Sequence, residues 1–448
     1  MSQAVQQQAK VTIKPNESFV ARAESLTPQL LYRECFPTRL TRVVHDERAT
    51  HSWRVEAAGE AGELPSLVLG KGDQVILDFG DHTVGSLTLR IKPVGSPPDA
   101  PLYLKVTLGE MPVEVAEPFE RYDGWLSRSW LQEEAFHIDV LPHTLVMERR
   151  YSFRYVKLEV LDTSVKYKVA FEEVICTAVT SADAALLAPC NSADPDLRRI
   201  DAVSVKTLED CMQEVFEDGP KRDRRLWLGD LRLQALANYE TFQNNNLVKR
   251  CLYLFAAYPT EEGLITANLF MKPTVIADNT YLYDYSLFFV STLLDYTEAS
   301  GDMDTLLELW PTARRQIELA LDRLDDRSVV RDDPSWWAFV DWHQDLNKQA
   351  PAQGILIYSM KAAQRLAELA CDAYATELAS GSGRSPRRPF GICGTRSGVI
   401  LSVARPARFP GRRKSGWCWP VSLTGSREAP SWSAYFTRNR TSRRRHLI

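Results

Sequence analysis

The chain is short of the features that mark many common protein classes. It has no C-x-x-C pair, no glycine-rich phosphate loop, no Ser/His/Asp pattern and no His/Cys spacing for a metal. Nucleotide-fingerprint and zinc-site readings are therefore set aside, and no cofactor is expected. No apolar run reaches the roughly 18 residues a membrane helix needs, and the opening "MSQAVQQQAKVTIKP" lacks the basic start and apolar stretch of a signal peptide. A cytoplasmic location with no membrane partner is the expectation. The eight cysteines, at 35, 176, 190, 211, 251, 371, 393 and 418, are scattered, which favours free thiols over a disulfide framework.

What is present is an ordinary globular composition, 44% hydrophobic and 25% charged, over 448 residues. That length predicts two or more domains. Up to about residue 180 the apolar residues alternate. "PLYLKVTLGE" places Leu102, Leu104, Val106 and Leu108 on one face, and "GSLTLRI" does the same with Leu87, Leu89 and Ile91. Residues 1–185 are therefore expected to form an antiparallel β-sandwich.

Near "NSADPDLRRIDAV" the period changes to 3.6. Tyr285, Phe288, Thr292 and Tyr296 share one predicted helical face, as do Leu306, Trp310, Ala313, Ile317, Ala320 and Leu324, with Pro311 a possible restart point. "GILIYSMKAAQRLAELA" supplies Leu356, Met360, Ala363, Ala367 and Ala370. Residues 186–379 read as stacked helical hairpins, so the chain is multidomain, β then α.

From Ser380 onward the character changes. This tail holds fourteen Arg and one Lys against the single acid Glu428, so it carries +14 and leaves −18 on the remainder. One reading is a basic nucleic-acid-binding arm, which an acidic body opposes. The other, favoured because the break falls inside a helical pattern, is an out-of-frame product of a GC-rich coding strand. Nucleic acid is not an expected partner.

Chemistry concentrates in "DGPKRDRRLWLGD", Asp218 to Asp230. Three carboxylates and four cations surround Trp227. The plain reading is a solvated ion-pair loop ahead of a helix, with Asp230 as its cap. Against it, Pro220, Leu226, Trp227 and Leu228 hold the charges at a partly buried entrance, where unpaired carboxylates are costly and acquire shifted proton affinities. A tryptophan face stacks on the C–H side of a pyranose while carboxylates and Arg bond its hydroxyls. Asp218, Arg222, Trp227 and Asp230 supply that set. A second cluster, "WWAFVDWHQDLNKQAPAQG", adds Trp336, Trp337, Asp341, Trp342 and His343, although a single Trp, or a His beside one, is more often core than ligand contact.

The stretch Asp218–Asp230 resembles the signature of bacterial α-L-rhamnosidases, glycoside hydrolase family 78, usually D-x-P-x-R-D-E-R-x-x-W-x-G-D. "LDFGDHTVG", "RRYSFRYVKLEV", "YDYSLFFVSTLLDY" and "FVDWHQDLNKQAPAQGILIYSMKAA" agree in order, over roughly residues 65–378. The resemblance implies a catalytic (α/α)6 barrel of the six-hairpin glycosidase type. It also implies inverting hydrolysis that removes terminal α-L-rhamnose, with one carboxylic acid protonating the leaving oxygen and a second activating water. By position, Asp218, Arg222 and Asp230 would bond rhamnose hydroxyls. Trp227 would form one apolar wall, with Trp342 and Asp341 further substrate-binding candidates.

Two departures follow. Arg224 stands where the family has its general-acid Glu, and a guanidinium is no useful proton donor near neutral pH. The neighbouring Asp223 is the candidate acid. No counterpart of the downstream general-base Glu is identifiable, and about three of six hairpins are present, so an incomplete and inactive product is the expectation. Alternatives are a six-hairpin enzyme for another sugar and a non-catalytic carbohydrate-binding protein.

Overall fold

The computed structural model describes residues 11–379, apart from 334–335 and 344–345; the Arg-rich tail and Glu428 lie outside the described residues. The described residues up to Thr376 form one compact unit.

The N-terminal part is sheet-rich and antiparallel. Its strands are β1 (Leu31–Cys35), β2 (Arg39–His45), β3 (Trp53–Glu60), β4 (Gln74–Gly95), β5 (Leu102–Gly109), β6 (Gln132–Ile138), β7 (His143–Asp162) and β8 (Tyr167–Thr180). They run in the order β1-β8-β4-β7-β5-β6, with β2 between β3 and the start of β4. β4 and β7 are long and change neighbours along their length. The first half of β4 pairs with β2 and with the end of β7, whereas its second half pairs with β8 and with the start of β7. The register shift between Asp78 and Thr83 marks the change. Both halves point into one core, where Leu77, Leu87, Leu89, Leu104, Phe153, Val156, Leu158 and Phe171 are buried. Each such apolar side chain contributes about 1.5–3 kcal/mol. The alternating residues 87, 89 and 91 and 102, 104, 106 and 108 are all buried, as their spacing predicts.

One segment departs from the strand expectation. Residues Glu17–Ser25 form helix α1, capped by Asn16, and lie against α5 (Asn245–Ala257) of the helical part. Arg250 of α5 donates to the Ala23 carbonyl and to Glu214 O at 2.9 Å. A nine-residue helix is marginal alone and is held here by packing on a partner distant in sequence.

The remaining α-helices among the described residues are α2 (Pro112–Ala116), α3 (Pro195–Cys211), α4 (Leu228–Glu240), α6 (Tyr283–Ser300), α7 (Met303–Leu321), α8 (Gln349–Leu369) and α9 (Tyr374–Ala379). The period change coincides with α3, which Asp194 caps ahead of Pro195. α6 packs against α4, α5, α7 and α8, and it is buried nearly all round rather than on one face. Its central position overrides the single-stripe pattern expected of a surface helix. α7 passes through Pro311 without a break.

Candidate active site

The Asp218–Asp230 stretch forms a tight loop closed on itself. Asp218 N donates to the Arg225 carbonyl at 3.0 Å, and Arg225 N donates to Asp218 Oδ1 at 3.0 Å. Leu226 and Trp227 form β9, which pairs with β10 (Asn268–Phe270), itself paired with β11 (Ile276–Ala277). α4 starts immediately after β9, so Trp227 and Asp230 are fixed by a small sheet and a helical first turn. Asp230 lies inside that turn and is not its cap; the capping position is Trp227, which makes no side-chain bond there. That corrects the capping expectation.

The loop stores strain at the proposed acid. Asp223 and Arg224 have φ of 62° and 54°, a left-handed conformation that costs a non-glycine residue about 1–2 kcal/mol. The Arg224 side chain explains how the turn persists. Its Nε donates to Pro220 O at 2.8 Å and its Nη2 to Arg150 O at 2.7 Å, tying the loop to itself and to β7. Arg224 is thus a brace, and burial lowers the proton affinity of its guanidinium. Asp223 lines a cavity of about 420 Å³ with Arg150, Glu217, Arg224, Arg225 and Phe270. Arg222 reaches Asp223 Oδ1 only at 3.9 Å.

The carboxylates of the loop are close enough to perturb one another. Burial pushes Asp218 up to about 7, with Asp223 and Asp230 adding repulsion and the Arg225 amide opposing it. Burial likewise pushes Asp230 up to about 6, with Asp223 again contributing. Both therefore exchange protons near neutral pH, where a carboxyl can donate to or accept from a sugar hydroxyl.

Aromatic rings continue from this point in a row. Trp227 meets Tyr285 edge-on at 6.1 Å, Tyr285 meets Phe339 at 6.1 Å, Phe339 meets Trp342 at 5.0 Å, and Trp342 meets Trp125 at 6.1 Å. Gly229 makes the first contact feasible, because a Cβ there would stand 2.6 Å from Tyr285 Cζ. The segment carrying Phe339 is pinned by Asp284, a buried carboxylate at the start of α6 that accepts the amides of Phe339 and Val340 at 3.0 and 2.9 Å. Burial raises the proton affinity of Asp284.

Asp218, Arg222, Asp223, Trp227 and Asp230 thus lie within the loop and the strand and helical turn that follow it, and Trp342 connects to Trp227 through Phe339 and Tyr285. Asp341 is exposed, and its Oδ1 accepts the Trp342 amide at 2.6 Å. Trp336 is core, packed on Tyr283 at 5.0 Å. His343 is exposed and not the core residue expected of it, because the segment runs over the surface. Sequence reasoning missed Tyr285 as a site residue, along with Phe339, Asp284 and Trp125. Only an isolated Trp in a polar, turn-rich stretch signalled the last.

It also missed a charged cluster at the junction of the two parts. His82 Nδ1 lies 2.6 Å from Asp210 Oδ2, and its Nε2 lies 3.0 Å from Glu110 Oε1 and 2.9 Å from Ser152 Oγ. Lys221 of the signature loop pairs with Glu114 and, at 3.4 Å, with Glu110, while Lys206 pairs with Asp210. Ser152, His82 and Asp210 have the connectivity of a nucleophilic triad but not its chemistry. Ser152 is fully buried, and although burial opposes it, the two carboxylates raise His82 to about 9, leaving no base for a serine proton. Among the described residues no His/Cys/Asp/Glu group could hold a metal ion.

A carboxylate cluster flanked by aromatic faces on a helical scaffold, beside an antiparallel sheet part, has the chemistry of a sugar-binding site. Comparison with known proteins agrees. Residues 37–178 match the glycosyl hydrolase family 78 alpha-rhamnosidase N-terminal domain, and residues 187–378 match the bacterial alpha-L-rhamnosidase 6 hairpin glycosidase domain. A rhamnosidase from Klebsiella oxytoca, solved with rhamnose bound, is 50% identical, with a TM-score of 0.79 over 82% of this chain and 72% of that one. The family 78 rhamnosidase of Bacillus sp. GL1 (20% identical, TM-score 0.56, 73% of this chain and 33% of that one) shares the fold. So does the Streptomyces avermitilis alpha-L-rhamnosidase complexed with L-rhamnose (16%, TM-score 0.53, 78% and 30%). No curated protein matches. The chain belongs to the α-L-rhamnosidase family, glycoside hydrolase family 78, and is a glycosyl hydrolase of rhamnosidase type.

Proposed function

We propose that the site binds a terminal α-L-rhamnose and that Asp223 is the general acid of an inverting hydrolysis. The observation that carries this reading is the clustering of Asp218 and Asp230 beside Trp227 and Tyr285, with both carboxyls raised toward neutrality and Asp223 near enough to contribute to each shift. Asp218, Arg222 and Asp230 bond the sugar hydroxyls, Trp227 forms an apolar wall, and Asp341 and Trp342 lie outward of it. Inversion also needs a second carboxylate roughly 6.5–9.5 Å away to activate water, and none of the described residues is assigned that role. The proposed architecture is a two-layer sandwich followed by part of an (α/α)6 barrel. A cytoplasmic location without nucleic-acid or membrane partners belongs to the same reading.

The test is release of the aryl group from an aryl α-L-rhamnoside, with the product anomer followed by NMR. Turnover that Asp223→Asn abolishes supports the assignment, and undiminished turnover in that variant removes Asp223 from the role. One observation favours a second reading, binding without cleavage: the residue at 224 is an arginine committed to backbone carbonyls. Saturable L-rhamnose binding by calorimetry with no aryl release is its signature.

A further inference from the structure

Two cysteines that lie far apart in the sequence stand opposite each other in the sheet. β1 and β8 pair antiparallel, and their register sets Cys35 directly against Cys176. Residues opposed in this way project to the same face with Cα atoms roughly 4.5–5.5 Å apart, inside the roughly 4.4–6.8 Å that a disulfide spans. Here that face is the core side, since Cys176 belongs to the buried cluster of the sheet and Cys35 packs against it. Both are free thiols. Burial pushes the Cys176 thiol up to about 12, and the neighbouring Cys35 adds to the shift.

The two sulfurs differ in access. β1 stands at the end of the strand order and four of its five residues are exposed, so Cys35, half-buried at its close, is within reach of a small reagent. Cys176 lies on β8, between β1 and β4, and is 0% exposed. An end strand opens locally at less cost than an inner one, and when β1 lifts, Cys176 gains the water that its thiolate needs. The position also gives the pair a consequence. α1, which precedes β1, is held on α5 of the helical part, and Leu30, immediately before β1, lines the cavity that contains Asp223. A bond between Cys35 and Cys176 fastens this stretch of chain to the sheet and fixes one wall of that cavity.

We propose that Cys35 and Cys176 are a modification site, a dithiol that a low-molecular-weight disulfide converts to a cross-strand disulfide. The Cys35 thiolate attacks one sulfur of the reagent, forming a mixed disulfide and releasing the first reagent thiolate. The Cys176 thiolate then attacks the Cys35 sulfur and displaces the second. The two cysteine protons end on the two released thiols, and the reagent's S–S bond takes up the two electrons. Because the bridge closes the long loop from β1 to β8, it also stabilises the fold.

The test treats the full chain, first reduced with dithiothreitol and desalted, with oxidised glutathione, and maps its peptides by non-reducing mass spectrometry. The expected product links the Cys35 and Cys176 peptides, lowers the thiol titre by one pair and raises the urea midpoint, a gain that dithiothreitol reverses. Cys35→Ser should abolish both the link and the gain. Cys176→Ala should halt the reaction with glutathione left on Cys35 and the midpoint unmoved. Wild-type protein that keeps glutathione on Cys35, joins Cys35 to a different cysteine or does not react at all overturns the proposal. So does a midpoint gain that persists in Cys35→Ser.

Discussion

The loop at Asp218–Asp230 and the cluster around His82 contain the same kinds of side chain, and they behave in opposite ways. Around His82 each carboxylate faces a cation: Asp210 has His82 and Lys206, and Glu110 has His82 and Lys221. Burial resists ionisation there, but pairing wins, and Glu110 is held down to about 2 while His82 rises to about 9. None of the four cations of the loop pairs its side chain with Asp218 or Asp230. Lys221 turns to Glu114, Arg224 to backbone carbonyls, Arg225 over the Phe270 ring at 4.0 Å, and Arg222 stays partly exposed. Burial and mutual repulsion then dominate, and Asp218 and Asp230 rise toward neutrality. Paired charge holds the two parts of the molecule together, whereas charge deprived of its partners is left available for a ligand.

That contrast can be broken from either side. The largest effect expected is on chemistry. Asp223→Asn should reduce aryl rhamnoside hydrolysis by about 10²–10⁴-fold with correct folding by circular dichroism, the loss typical of a missing general acid. Next comes the aromatic wall. Gly229→Ala forces the Tyr285 ring away from Trp227, since the added Cβ would overlap it, and should weaken L-rhamnose binding by about tenfold in calorimetry. On the paired side, His82→Gln removes charged hydrogen bonds to Asp210 and Glu110. It should cost roughly 2 kcal/mol in urea unfolding while L-rhamnose affinity changes little.

The smallest effect sharpens the comparison most, because the two regions act in different pH windows. His82 has a raised folded proton affinity, so its contribution is complete below about pH 6.5 and is lost as pH rises through about 9. Asp218 and Asp230 are carboxyls raised by folding. The folded state holds their protons more tightly, and stability declines as pH climbs from about 4 through 6 and 7. Urea midpoints measured across pH should lose the Asp218 share of the lower decline in Asp218→Asn, leaving that of Asp230, and the upper decline in His82→Gln. An Asp218→Asn variant with an unchanged slope between pH 4 and 7 would show that this carboxyl is not strained by burial.

Much of the fold was legible in the sequence, for physical reasons that stop at identifiable residues. Alternation at 87–91 and 102–108 announced strands because a strand's faces alternate strictly, and the change to a 3.6 period near residue 194 announced helices because a helical face recurs every three to four residues. α1 was not legible, since its stability comes from α5, more than two hundred positions away in the chain. The all-round burial of α6 was equally hidden, because it depends on four neighbours and not on the helix's own stripe.

The site divides in the same way. The sequence by itself determined which residue types crowd Asp218–Asp230, the resemblance that names the family, and Asp223 and Trp227 as candidates, because those are properties of adjacent residues. Tertiary structure alone decided that Arg224 braces a strained turn, that the loop's cations leave Asp218 and Asp230 without a side-chain ion pair, and that Trp125 meets Trp342. Each of these depends on contacts between segments that only folding brings together, and it is there that burial and pairing assign a proton affinity or a partner to a side chain.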